Sequence, residues 1–277
     1  MSRCDRYGVV GHPVGHSRSP EIHAIFAKAT GQAMSYERLE APIDGFEEFA
    51  LGLRDAGYLG VNVTVPFKLD AAKLATDLAP RARLAGAVNT LKFDGDEILG
   101  DNTDGIGFVR DVTLRFDQRI AGSAVLILGA GGAVRGLIGS LLEETPKWIA
   151  VANRTHGRAQ ELAEEFGVEA IEYDEVPAEQ FDIVINGTST GLHHEAPAVD
   201  PEAFGGCSLA YDLVYAPGPT PFMRLAQRGG ARCVCDGLGM LIEQAAESFL
   251  IWRGVRPQTE AAYEAVRRML ESAAASR

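Results

Sequence analysis

The stretch from residue 124 onward constrains the fold most. Five short apolar runs, AVLILG at 124, WIAVAN at 148, FDIVIN at 181, LAYDLV at 209 and ARCVC at 231, alternate with segments of helical periodicity. Strands that are apolar on both sides belong to a parallel sheet covered on both faces, because a half-exposed strand would alternate with polar residues. Ala159, Leu162, Ala163 and Phe166 make one intervening helical stripe, and Phe222 and Leu225 begin another that Gly229 and Gly230 end. The pattern predicts a doubly wound α/β domain.

Residues before about 100 have a different texture. A strand at Tyr7 and Val10 is followed by a helix opened by Ser19 and Pro20, with Ile22, Ile25, Phe26 and Ala29 on one face and Gly31 as its stop. Strands are expected from Tyr36 to Leu39 and from Leu59 to Val65, around a helix striped by Phe46, Phe49, Ala50 and Leu53. The runs at 88–93 and 97–99 flank Asp94 and Gly95 as a hairpin. After Gly239 two helices remain, one phased on Leu241, Ala245, Phe249 and Trp252, the other on Tyr263, Val266 and Leu270. The whole is α/β with a mixed first domain, and 277 residues at ~150 per domain suit two domains.

Charge narrows the partners. Lys plus Arg is 26 and Asp plus Glu is 38, so the formal charge is 26 − 38 = −12. Broad nucleic-acid binding depends on cationic side chains displacing counterions, so no nucleic-acid partner is expected. No apolar run approaches the ~20 residues of a membrane span, so no membrane partner is expected. The opening MSRCDRYGVVGHP lacks an apolar targeting core. Four cysteines make no disulfide framework, and Cys233 and Cys235 are too close for CxxC, which together suit the cytoplasm.

AVLILGAGGAVRG sets Gly129, Gly131 and Gly132, with Ala130 and Ala133, between an apolar strand and a helix. Glycines there allow a tight turn and close approach of the backbone to a pyrophosphate, which the helix N-terminus attracts. Val134 departs from strict GxGxxG, and Arg135 is placed near the pyrophosphate. The next strand ends in VANRTHGR, with Asn153, Arg154, Thr155 and Arg158 and no acidic residue between Lys147 and Gln160. Two guanidiniums and a hydroxyl suit the 2′-phosphate of NADP, whereas NAD favours an acidic residue at such a position.

Polar groups gather in the first hundred residues. Ser17 and Ser19 flank a helix entrance, Ser19 before Pro20 being a good N-cap by itself. In VNVTVPFK, Asn62 and Thr64 point to one side of a strand, and Lys68 follows as the chain turns towards a helix. AVNT offers Asn89, and DNTDG offers Asp104, which is equally good as a helix cap. Gln244 sits on the apolar face of its helix, where it needs polar partners.

These segments occur with GAGGA, NRT, NGTSTG, YDLVY and GLGMLIEQA in an order and spacing that resemble the shikimate dehydrogenase family over roughly residues 8–255. The resemblance implies NADPH-dependent, reversible reduction of 3-dehydroshikimate to shikimate in aromatic amino-acid biosynthesis. It implies Lys68 as acid/base with Asp104 beside it, Ser17, Ser19 and Tyr215 at the substrate carboxylate, and Asn62, Thr64, Asn89, Asp104 and Gln244 at the ring hydroxyls. Asn186, Thr188 and Ser189 would lie along the cofactor and Gly237 near its nicotinamide. Such chemistry is consistent with an ammonium, which offers charge and a proton to a ketone oxygen as hydride arrives. No metal is implied. The expected architecture is a substrate domain over 1–103, completed by 239–277, and a Rossmann-type NADP domain over 104–238, as a monomer or homodimer. The rivals are a quinate/shikimate dehydrogenase using NAD and a non-catalytic nucleotide-binding regulator. Ser19 and the two arginines disfavour the first, and retention of Lys68 and Asp104 disfavours the second.

Overall fold

The computed structural model describes residues 4–188, 190 and 195–275. The chain divides into two compact units, Met1–Gly107 with Ile242–Arg268, and Phe108–Leu241 with Met269–Arg277.

In the first unit, β1 (Asp5–Gly11), α1 (Ser19–Thr30), β2 (Met34–Glu40), α2 (Phe46–Asp55) and β3 (Tyr58–Val63) fall where the sequence places them. They are followed by α3 (Lys68–Leu74), β4 (Asp77–Leu78), α4 (Pro80–Ala85), β5 (Thr90–Asp94), β6 (Glu97–Asp101) and α5 (Asp104–Arg110). The sheet is mixed, in the order β2-β1-β3-β5-β6-β4. β1 is parallel to β2 and β3, whereas β3, β5 and β6 run antiparallel in turn. Val10, Val61, Val63 and Leu91 pack with Phe46 and Phe67, whose rings stack at 5.1 Å. α1 ends at Gly31, whose φ of 66° is the left-handed conformation that a glycine adopts without strain. β4 and α4 escaped the sequence reading because two- and six-residue elements show no periodicity.

The second unit begins with the last turn of α5 and a π-helical turn, Asp111–Arg115. Val109, Val112 and Phe116 are spaced as on one regular helix, but the turn at Asp111–Arg115 is widened. There follow β7 (Ala124–Leu128), α6 (Gly132–Glu143), β8 (Trp148–Ala152), α7 (His156–Phe166), β9 (Glu169–Ile171) and β10 (Ile183–Asn186). β11 (Leu209–Asp212), α8 (Pro221–Arg228) and β12 (Val234–Cys235) complete the sheet, which is all parallel in the order β12-β11-β10-β7-β8-β9. Alternate residues of β7 serve two separate cores: Val125 and Ile127 one, Ala124, Leu126 and Leu128 the other. This two-sided burial is why the run is apolar throughout.

The last helices are α9 (Leu238–Arg253) and α10 (Glu260–Ala275). The units divide within four residues of the boundaries read at 103/104 and 238/239, but Met269–Arg277, read as part of the first domain, groups with the second unit. Gly107 lies so close to α9 that a Cβ on it would be 2.7 Å from the Gln244 nitrogen, which ties 104–107 to the first unit. Gly239 lies against Asp111, where a Cβ would be 1.9 Å from a carboxylate oxygen, which ties 239–241 to the second. No helix among the described residues is long and apolar enough to cross a membrane.

Candidate active site

Lys68 is the first residue of α3 and Asp104 the first of α5. Lys68 Nζ donates to Asp104 Oδ2 at 2.5 Å, with side chains 18% and 9% exposed. A cation in the first turn of a helix opposes the helix dipole, and the carboxylate offsets that cost. Asp104 does not cap α5 with its side chain: the first helical bond runs from Gly107 N–H to the carbonyl of Thr103, and both carboxylate oxygens face the site. The helix-cap reading of Asp104 is therefore overturned, which leaves its carboxylate available for chemistry.

Hydrogen-bond polarity around this pair is forced by the backbone. Asn89 Oδ1 accepts from the Thr103 backbone N–H at 2.8 Å, so its Nδ2 must be the donor end, and it donates to Asp104 Oδ1 at 2.9 Å. Gln244 Oε1 lies 3.3 Å from both Asn89 Nδ2 and Thr103 Oγ1, so its oxygen faces this cluster.

Asn62 differs from expectation. It is buried, its Nδ2 faces the carbonyl of Asn89, Thr90 Oγ1 and Ser248 Oγ at 2.9–3.1 Å, and its Oδ1 accepts from the Tyr36 hydroxyl at 2.7 Å. Its amide is thus engaged within the protein at both ends. Thr64, expected on the strand, lies one residue past the end of β3; it is half-buried and has no side-chain hydrogen bond among the described residues. Thr90 and Ser248 were missed from the sequence. Ser248 lies one helical turn beyond Gln244, a spacing that could have flagged it.

The helix entrance departs from the cap reading of Ser19. α1 starts at Ser19 with Arg18 in the cap position, so Ser19 does not cap the helix. Instead Ser17 Oγ accepts from the Ser19 N–H at 3.3 Å, and the two hydroxyls lie 3.2 Å apart. Arg38 holds this entrance, donating to the Ser17 carbonyl at 2.8 Å and to both oxygens of Glu21.

In the second unit the turn after β7 leaves backbone open. Gly129 has φ 106°, and a Cβ on it would lie 2.9 Å from the Gly187 carbonyl group, so two turns pack through it. Gly131 and Gly132 are exposed, have no positive φ, and a Cβ on either would meet nothing within 4 Å. Neither the fold nor the backbone conformation requires glycine at these two positions; a group approaching α6 from outside would. Ala130 and Ala133 are half-buried beside them. Val134 replaces the third glycine of the strict motif because Gly187 makes the room: a Cβ on Gly187 would lie 2.3 Å from Val134 Cγ2. Arg135 is turned to α7, paired with Glu165 and 5.6 Å over the Phe166 ring, rather than to the turn.

Arg154, Thr155 and Arg158 are exposed at the start of α7, and neither arginine has an ion-pair partner among the described residues. Thr155 occupies the cap position without a side-chain cap bond, and Asn153 donates to its carbonyl at 2.8 Å. Asn186 is buried and organises its turn, accepting from the Thr188 N–H and hydroxyl at 3.2 and 2.7 Å and donating to Asp212 at 3.0 Å. Asp212, missed from the sequence, also accepts from the Thr220 hydroxyl at 2.6 Å, and burial raises its carboxyl pKa from the ordinary value. Ser189, with His193 and His194, lies outside the described residues. The cofactor candidate Gly237 and the substrate candidate Tyr215 belong to the second unit, following β12 and β11, while the other substrate candidates belong to the first. A Cβ on Gly237 would lie 2.3 Å from the Leu213 carbonyl oxygen, so this glycine has a packing reason of its own. Among the described residues no group of three or more His, Cys, Asp or Glu is placed to hold a metal ion.

Residues 9–91 match the shikimate dehydrogenase substrate binding domain, 112–197 the shikimate / quinate 5-dehydrogenase family, and 237–267 the shikimate 5′-dehydrogenase C-terminal domain. The shikimate dehydrogenase (NADP(+)) of Methylobacillus flagellatus is 50% identical over 268 residues, covering 95% of this chain and 99% of that protein. The chain belongs to the shikimate dehydrogenase family. The enzyme of the same name from Herminiimonas arsenicoxydans is 52% identical over 96% of this chain and 98% of its own length. The crystal structure of shikimate 5-dehydrogenase from Thermus thermophilus, in complex with NADP(H) and shikimate, superposes with a TM-score of 0.88 at 37% identity, covering 95% of this chain and 99% of that one. Both units of the present chain are thus those of a shikimate dehydrogenase, a mixed-sheet α/β unit and a Rossmann-type one.

Proposed function

We propose that this chain catalyses the reversible, NADPH-dependent reduction of 3-dehydroshikimate to shikimate in aromatic amino-acid biosynthesis. The observation that carries the reading is the Lys68–Asp104 pair at 2.5 Å, set among amide and hydroxyl groups of fixed polarity. NADPH, held by the second unit, would supply the hydride equivalent that the ketone carbon needs. Lys68 donates its proton to the ketone oxygen as charge builds there, and takes the proton from the hydroxyl in the reverse direction. Asp104 holds Nζ in place, and Asn89 holds Asp104 by its other oxygen. Ser17 and Ser19 donate to the substrate carboxylate, with Tyr215 of the second unit. Thr64, Asn89, Asp104 and Gln244 hold ring hydroxyls, and Asn62 acts from the interior by orienting its neighbours.

The second unit fits NADP. Gly129, Ala130, Gly131, Gly132 and Ala133 present the open backbone of a helix start to a pyrophosphate, and the empty space over Gly131 and Gly132 supports this. Arg154 and Arg158, without an ion-pair partner among the described residues, take the 2′-phosphate with Thr155, and Asn153 shapes that turn. Asn186, Thr188 and Ser189 line the cofactor, with Gly237 at its nicotinamide end. The first unit is accordingly the substrate unit and the second the cofactor unit. The chain acts in the cytoplasm, as a monomer or homodimer, since one chain carries every residue named; its four cysteines are free, and burial pushes the Cys207 thiol up to about 11.

The test is to mix protein, NADP and shikimate and follow the reduced-nicotinamide absorbance. Growth of that band with shikimate and NADP, at a higher kcat/KM than with quinate and NAD, supports the reading. A preference for quinate with NAD, or no turnover at all, overturns it.

A further inference from the structure

The π-helical turn of the second unit brings a buried polar set together. Asp111 is 2% exposed, and its Oδ1 accepts from Arg115 Nε at 2.8 Å while its Oδ2 accepts from the Tyr211 hydroxyl at 2.7 Å. The Tyr211 hydroxyl also accepts from the backbone N–H of Met240 at 3.1 Å. The direction of this chain is fixed, because an amide N–H can only donate, so the phenol sends its own proton to Asp111. The Tyr211 ring is fully buried and held edge-on by Phe108 at 4.9 Å and Phe116 at 6.4 Å.

What the set holds is the turn between β12 and α9. Met240 N–H is among the first-turn donors of α9 that have no partner within the helix. Leu238 N–H, another of them, goes to Asp236 Oδ1 at 3.3 Å, and Gly239 presses directly on the Asp111 carboxylate. A core that needed only stability would be served as well by apolar side chains; fully paired buried polar groups select one geometry.

The location of the turn gives that geometry a purpose. It leaves the C-terminal end of β12, at the opposite edge of the parallel sheet from β8 and β9. A dinucleotide lying across the C-terminal strand ends, with its pyrophosphate at the turn after β7 and its 2′-phosphate at the turn after β8, must place its other nucleotide half over β10, β11 and β12. We propose that Tyr211 and Asp111 are positioning residues for the nicotinamide half of the cofactor, acting by holding the 236–240 turn in register against it. This rests on the cofactor reading above.

Tyr211→Phe tests it, since the ring keeps its aromatic neighbours and only the hydroxyl is lost. NADPH and adenosine 2′,5′-bisphosphate, which has the 2′-phosphate end but no nicotinamide, are titrated into wild type and variant, with urea midpoints recorded. The expected result is an NADPH Kd raised about fivefold to tenfold, the loss of one buried hydrogen bond, with the bisphosphate Kd within about twofold of wild type. Asp111→Asn gives the same split and adds little on top of Tyr211→Phe, as residues acting through one chain do. An unchanged NADPH Kd, an equal loss for both probes, or full additivity of the two substitutions overturns the proposal. Wild type that binds neither probe overturns the cofactor reading itself, and the proposal with it.

Discussion

In the first unit the polar groups nearest Lys68 bond to one another: Asn89 to Thr103 and Asp104, Asn62 to Tyr36, Thr90 and Ser248. In the second unit the corresponding region is built from what is left over, Gly131 and Gly132, where an added Cβ would meet nothing within 4 Å, and two arginines without an ion-pair partner among the described residues. The contrast follows from the ligands each would take. A small ring bearing several hydroxyls is told from its analogues only by donors and acceptors of fixed polarity, which needs a second layer to lock them. A pyrophosphate and a phosphate are highly charged and need only unencumbered N–H groups and cations.

That contrast can be broken at either end. Lys68→Ala should lower kcat by roughly a hundredfold to ten-thousandfold while moving the shikimate KM far less, because the proton is needed in the transition state. Steady-state kinetics with a near-normal kcat would remove Lys68 from its role. Arg154→Ala should weaken NADPH by about tenfold to a hundredfold, the range for a charge-assisted bond, with little change for NADH. Equal loss for both cofactors would mean that the arginine does not read the 2′-phosphate.

The glycines of the turn sharpen the comparison within one segment. Gly129→Ala forces a Cβ into the Gly187 carbonyl at a φ of 106°, so it should destabilise the fold by ~1–3 kcal/mol. Gly131→Ala meets nothing, so its urea midpoint should match wild type while NADPH binding falls. If Gly131→Ala binds NADPH normally, the open space there has no role in holding the pyrophosphate.

How much of this was legible in the sequence differs between the units for the same reason. The doubly wound unit announces itself locally: β7 is apolar because both its faces are buried, and the turn that follows is contiguous with it. Its exceptions are long-range, such as Val134 standing where a glycine was expected because Gly187, distant in sequence, vacates the space. In the first unit the residues Lys68, Asn89 and Asp104 stood out by type and spacing. Their arrangement did not, since Ser248 reaches Asn62 across 186 positions and Tyr36 reaches it across 26. Asn62 and Thr64 look equivalent on a strand, and only the structure separates the engaged amide from the free hydroxyl. The helix-cap readings of Ser19 and Asp104 failed because cap rules describe local competition, and here more distant partners take the side chains.

The interior side of the first unit carries one more consequence, smaller in size. His23 is fully buried on α1, stacked on Tyr36 at 4.1 Å and beside Phe26 and Trp252, with neither ring nitrogen within hydrogen-bond geometry of a partner among the described residues. Burial in these surroundings lowers its pKa from 6.5 to about 3. The folded chain therefore keeps the ring neutral where the unfolded chain protonates it, so stability is complete above pH 6.5 and is lost as pH falls from there towards 3. His23→Phe removes the titration while keeping a flat ring against Tyr36. Measured by urea unfolding, the stability difference between wild type and this variant should be constant above about pH 7.5 and shift against wild type by up to ~1.4 kcal/mol per pH unit below about pH 6, a slope set by one proton. Parallel curves across that window would show that His23 is charged or partnered in the fold, and that the apolar layer behind the serine entrance is wetter than its packing indicates.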